Sequence, residues 1–278
     1  MNPLNFETSI KCAPPQLVST LARLSRAYEN IQNFELEIQK WGKSDPPPFR
    51  IEKGIDEDQS RYVFKAFFAP MPIRFSTLVG EIIHNLRSSL DHLVWALALK
   101  HNSNPAFKIQ FPICLKPTNY EKAINTGILK GISKSSCALI EASQPYRARA
   151  SDPINHPLSI INSLSNHDKH KAPVLVSNLV KMGDAIRISS GENDPKLNII
   201  TGISPFPGLT ENAATPQSTD VFWLDLQTYT PNFEVHADFE AMITFDEFGN
   251  QKRISVGNGL LTLLREADRI VATFFSEF

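Results

Sequence analysis

The sequence predicts an α+β fold: a helical bundle containing one long two-faced helix, an N-terminal β-hairpin and an added antiparallel β section. Three observations predict it. Apolar residues recur at helical spacing over residues 15–41, 75–100 and 257–278. Between the first two stretches, alternation around Asp56-Glu57-Asp58 suits a hairpin of 49–52 with 62–67. After Val174 the chain turns to short β-rich runs separated by polar, Pro-containing segments. A helical start and end around strands that do not alternate with helices is the α+β pattern.

Each element has its own signal. In the first helix, Leu17, Leu21, Leu24, Tyr28, Ile31 and Ile38 recur, with Phe34 or Glu35 between them, until Gly42 and Pro46-Pro47-Pro48 stop it. Pro70 and Pro72 close the hairpin, and His101-Asn102-Ser103-Asn104-Pro105 breaks the second helix. Residues 109–113 are a short strand or an extended segment. Short helices are expected over 120–128 and 134–143, followed by a basic turn over 144–149. Asp152-Pro153 is a cap plus first-position proline that opens a helical zone running to Lys171, with Leu158, Ile161 and Leu164 on one face. Strands are expected over 174–180, 185–189, 196–201, 221–227 and 233–245, with a loop over 202–218. The last helix carries Leu260, Leu261, Leu264, Ala267, Ile270 and Phe274 on one stripe. That stripe needs a partner, so the helix is expected to pack back on the first helices. The expected organisation is one discontinuous domain over 1–278: a mainly helical part (14–172, with the hairpin at 49–68), a β-rich part (173–250) and the returning helix (256–278).

Bulk properties exclude several classes. The net charge of −1 leaves no global polycation for sequence-independent duplex binding. Cys12, Cys114 and Cys137 are far apart and form no Cys-x-x-Cys, which disfavours a disulfide framework or a thiolate zinc site. No apolar run of about 18 residues is present, so no membrane span is expected. Pro3, Asn5 and Glu7 interrupt any apolar leader, so no secretion signal is expected and a cytoplasmic location is. Glycine-rich phosphate loops and a Gly-x-Ser-x-Gly elbow are absent, which leaves kinase, dinucleotide-dehydrogenase and hydrolase readings without local support.

The helix over 75–100 carries the candidate chemistry. At about 100° per residue, Ile82, Ile83, Leu86, Leu90, Leu93 and Leu97 fall on one side, and Glu81, His84, Arg87, Ser88, Asp91 and His92 on the other. A solvated helix face is normally Lys and Glu. Two imidazoles, a guanidinium and two carboxylates within three turns can exchange protons and hold an anion. The plain alternative is that Arg87 and Asp91 are a helix-supporting i,i+4 pair, that the histidines are only hydrogen-bonded, and that Trp95 is packing.

Arg87-Ser88-Ser89-Leu90-Asp91-His92 is an Arg-x4-His motif, and in a helical bundle it resembles the HEPN superfamily (higher eukaryotes and prokaryotes nucleotide-binding). The resemblance implies a metal-independent endoribonuclease of toxin–antitoxin or phage-defence type, acting at the interface of a homodimer, with no cofactor, RNA or nucleotide as ligand, and an antitoxin or defence-system partner. Arg87 and His92 would hold the motif's two roles, with His84 and Asp91 beside them and Asn85 and Ser88 as binding residues. Ser88 departs from the Asn, Asp or His common after the arginine in active members. The wider string from His84 to Leu93 also resembles a bacterial family that continues with Gln144-Pro145-Tyr146 and with Asn166-His167-Asp168-Lys169-His170.

RNA self-cleavage needs a base for the 2′-OH proton and an acid for the leaving 5′-oxygen, which an imidazole of pKa about 6.5 can supply. A guanidinium can hold the phosphate and offset its growing charge. Three readings of His167-Asp168-Lys169-His170 remain open: a polar helix end whose cations suit the C-terminal dipole, a phosphate-binding extension with Lys169, His170 and Arg147, or a metal site completed by His84 and His92.

Overall fold

The computed structural model describes residues 10–55, 57–59, 61–101, 108–168, 175–181, 186–190, 198–200, 217–225, 233–236, 239–246, 248–250 and 254–278. The expected α+β architecture is present: long helices form a bundle, and short antiparallel strands form separate sheets. The chain divides into two compact units, one of Met1–Leu36, Ile73–Val174 and Glu247–Phe278, the other of Glu37–Pro72 and Leu175–Asp246.

In the first unit, α1 (Val18–Gly42, of which the part up to Leu36 belongs to this unit) and α2 (Ile73–His101) are followed by α3 (Pro117–Asn125), α4 (Lys134–Ala142), the single turn α5 (Pro145–Ala148), α6 (Pro157–Asp168) and α7 (Val256–Thr273). Leu21, Leu24, Ile31 and Phe34 of α1 are buried, as are Ile82, Ile83, Leu86, Leu90, Leu93 and Leu97 of α2. The apolar stripe of α7 buries Leu260, Leu264, Ala267 and Ile270 against α2 and α6. Leu261 is only half-buried, and Leu263 takes its place in the core.

Local chemistry shifts several boundaries. Pro117 starts α3 three residues before the expected position, because its fixed φ suits a first helical turn. Gly127, at φ +84°, ends that run before Ile128. Ser133 caps α4, its hydroxyl accepting from the Ser136 N–H at 3.0 Å. Asp152-Pro153 opens only a 3-10 turn, Pro153–Asn155, and the helix restarts at Pro157. Asp152 makes no cap bond there; its carboxylate accepts from Asn155 Nδ2 at 2.8 and 3.1 Å. Residues 169–171, the expected end of that helix, lie outside the described residues.

In the second unit, β1 (Phe49–Ile55) and β2 (Arg61–Phe68) form the expected hairpin. Its other edge is covered by β6 (Gln217–Asp225), giving the order β1-β2-β6 with a bulge between Phe64 and Lys65. A two-stranded hairpin is marginal alone, and a third strand removes one open edge. The strand β6 therefore begins inside the stretch expected to be loop. The expected single strand over 233–245 is two: β7 (Phe233–His236) pairs with β4 (Ile186–Ser190), and β8 (Phe239–Phe245) pairs with β3 (Leu175–Lys181). The strand β5 (Asn198–Ile200) completes the order β5-β4-β7. Among the described residues no helix is long and apolar enough to cross a membrane.

Candidate functional site

The polar side of α2 meets two different neighbours. Arg87 and His92 are five residues apart, so they are about 140° apart around the helix axis. Arg87 faces the extended segment that follows α2, whereas His92 faces α1. The motif's two residues therefore sit on opposite flanks of one helix rather than side by side.

On the first flank, Arg87 Nη2 donates to the Phe111 carbonyl at 2.8 Å, and Asp91 Oδ1 accepts from the Phe111 N–H at 2.9 Å. The two side chains also pair with each other at 3.0 Å. The pair thus satisfies both backbone groups of a residue that has no exposure to water. Residues 109–114 make no ladder; this clamp holds them where a strand partner would. Gln144 continues it, accepting from the Cys114 N–H and donating to the Pro112 carbonyl, both at 2.9 Å. Burial pulls the Arg87 guanidinium below its usual range, and Asp91 partly restores it. Arg87 Nη1 is buried without a hydrogen-bond partner.

On the second flank, α1 runs antiparallel to α2. Ser19 Oγ lies 2.6 Å from His92 Nδ1, Arg23 Nη1 donates to Asn85 Oδ1 at 3.1 Å, and Phe34 meets Phe75 edge-on at 5.5 Å. Asn85 is buried and also donates to the Glu81 carbonyl at 2.9 Å, so it fixes Arg23 rather than facing solvent. Burial lowers the pKa of His92, the Arg23 charge lowers it further, and Asp91 raises it in part. His92 is therefore a neutral imidazole at pH 7. With Nδ1 tied to Ser19, its Nε2 is the ring nitrogen left for exchange.

Between the flanks, His84 is exposed and its Nε2 lies 3.4 Å from Ser88 Oγ. Toward the start of α2 the space between the helices opens into a groove of about 510 Å³. Arg23 and Arg26 of α1 line it with Glu81 and His84 of α2 and Asp168 at the end of α6. Gly80 lets the Asp168 carboxylate sit against its wall, because a Cβ there would push that carboxylate aside. Arg26 also pairs with Glu29 at 3.2 Å on the surface.

Of the residues expected from sequence, His84 and Asn85 line the groove and His92 adjoins it through Arg23, while Arg87 and Asp91 serve the opposite flank. Arg147 is exposed and bound to Glu141 at 2.7 Å, over the Tyr146 ring. Lys169 and His170 lie outside the described residues. His167 is exposed. Among the described residues no three His, Cys, Asp or Glu side chains gather as a metal-ligand group. Sequence reasoning missed Arg23 and Arg26. Their signal is the polar line Ser19, Arg23, Arg26, Asn30, spaced four, three and four residues along α1. Compared with family models, curated proteins and solved structures, the chain matches none.

Proposed function

We propose that this protein is a HEPN-like binder of RNA or nucleotide that takes its ligand in the groove between α1 and α2. The observation that supports this is the groove's lining: two arginines, two carboxylates and an imidazole around about 510 Å³ of open space. That volume suits a ligand of nucleotide size. Arginines bind phosphate oxygens bidentately. Glu81 and Asp168 accept from the amino groups of a base. A mixed lining fits a ligand with both acceptors and donors better than it fits a bare polyanion.

The experiment is an anisotropy titration of a short labelled RNA in EDTA, with wild type and the Arg23→Ala/Arg26→Ala double variant. Wild type binds, and the double variant loses at least tenfold in affinity. The logarithm of the binding constant falls against log salt with a slope of about −1.4, the value for two neutralised phosphates on a single strand. Equal affinity of the two proteins, or no binding by wild type, rejects the groove.

A second reading is metal-independent cleavage, and the neutral His92 favours it. A neutral imidazole can take the 2′-OH proton, while His84, about 12 Å further along the axis of the same helix, does not reach the same phosphate. In this reading Arg87 supports the fold and Arg23 meets the phosphate. Cleavage in EDTA to a 2′,3′-cyclic phosphate by wild type, and none by His92→Ala, is its outcome. The homodimer and the antitoxin or defence-system partner rest on the family resemblance alone, and the mass of the protein in solution tests the first.

A further inference from the structure

We propose that the site takes single-stranded rather than duplex RNA, with one unpaired base stacked on the indole of Trp95; this rests on the RNA-binding reading above. The helix α2 is continuous from Ile73 to His101, so its geometry fixes which side chains share a strip. Taking His84 as zero, Ser88, His92, Trp95 and Leu99 fall at about 40°, 80°, 20° and 60°. The spacings are four, four, three and four residues, so each is the next one's neighbour on the surface. Ser19 bounds this strip on one flank, through His92, and Phe111 on the other, through Arg87 and Asp91.

Trp95 is 40 % exposed, in contrast to the packing role its sequence context suggests. A partly exposed indole on the same strip as His84, Ser88 and His92 offers part of a flat π-face, and Trp95 lies one turn beyond His92. It is about 16 Å along the axis from His84, which lies in the arginine-lined groove. A few nucleotides of an extended strand span that distance. Phosphates at Arg23 and Arg26 then place a following base over Trp95.

The carboxylates sharpen this placement. Asp91 lies one turn before Trp95, and Glu81 and Asp168 line the groove. Asp91 is paired with Arg87 and Trp95 carries no charge, so phosphates are held at Arg23 and Arg26 and the Trp95 face is left to an uncharged group. Only an unpaired base can offer its face there, because a duplex keeps its bases stacked and turns its phosphates outward. Base–aromatic stacking is the usual means by which proteins hold single strands without reading sequence.

The test uses the full chain and a fluorescein-labelled single strand of about eight nucleotides, a length in the range of single-strand sites, with the matching duplex as competitor. Wild type prefers the single strand. Trp95→Ala weakens that binding by about 5- to 150-fold, the range for one lost stacking contact, and leaves duplex affinity unchanged. Trp95→Phe recovers most of the loss. Trp95 is 40 % exposed, so Trp95→Ala also removes some packing and lowers Tm, and affinities are compared at a temperature where each variant is shown to be folded. Unchanged single-strand affinity in Trp95→Ala overturns the proposal. So does a change in molecular mass for that variant, which assigns Trp95 and Leu99 to contact between copies of this chain. Loss of binding in Arg23→Ala with none in Trp95→Ala keeps the groove and rejects the stacking. No binding by wild type rejects both.

Discussion

Replacing Arg87 by alanine separates a residue that holds the fold from one that holds a ligand. The side chain gives one charged hydrogen bond, at 2.8 Å, to the carbonyl of the fully buried Phe111. Such a bond contributes about 1.5–3 kcal/mol, because the carbonyl left behind has no water to turn to. The i,i+4 pair with Asp91, at 3.0 Å, adds about 0.3–0.5 kcal/mol. Removing the unpartnered Nη1 atom relieves about 1 kcal/mol of burial cost. The balance is a loss of about 1–2.5 kcal/mol. At about 2–4 °C per kcal/mol for a chain of this size, the melting temperature falls by about 2–10 °C. Differential scanning calorimetry reads this directly, and a parallel titration with labelled RNA reads affinity. The expected result is lower Tm with binding at 25 °C largely kept. Unchanged Tm with binding lost would refute the reasoning and move Arg87 to the ligand.

Three further outcomes follow from the same geometry. Gln144 is fully buried and bonded to both Cys114 and Pro112, so Gln144→Ala costs about 2–4 kcal/mol by leaving both backbone groups unpaired; urea unfolding shows this as a lower midpoint. His92 and His156 both have pKa values lowered from 6.5, chiefly by burial, so the unfolded chain takes up protons that the folded chain refuses. Stability is therefore complete above pH 6.5 and falls as pH drops through the lower folded values; a Tm that stays flat from pH 6.5 to 5 in wild type, or the same slope in His92→Gln/His156→Gln, contradicts this. Gly80→Ala forces the Asp168 carboxylate aside while adding up to about 1 kcal/mol of helix propensity, so RNA affinity falls without loss of Tm; equal affinity would show that Asp168 does not touch the ligand.

The long helices were legible because period 3.6 survives in a single sequence, and the polar side of α2 was legible for the same reason. Periodicity fixes an angle but not a neighbour. Arg87 and His92 share a polar half-turn, yet their 24-residue and 73-residue contacts, with Phe111 and Ser19, come from tertiary packing. Arg23 and Arg26 look like ordinary surface arginines until α1 lies antiparallel to α2. The start of β6 was missed because Gln217, Ser218 and Thr219 lack apolar alternation; pairing with Ala66, Phe67 and Phe68 supplies their order. The run 233–245 has the composition of one strand, but it serves two sheets. Pro153 and Pro157 both suit a first helical turn, and the spacing of Leu158, Ile161 and Leu164 does not tell which of them starts the helix.

The most direct measurement is photo-crosslinking of a 4-thiouridine-containing single strand to the full chain, with the joined peptides identified by mass spectrometry. Crosslinks in the α1 and α2 peptides that carry Arg23, His84, His92 and Trp95, lost in Arg23→Ala/Arg26→Ala, are the expected result. Crosslinks confined to peptides elsewhere, such as Gln217–Asp225, would contradict RNA binding in the α1–α2 groove.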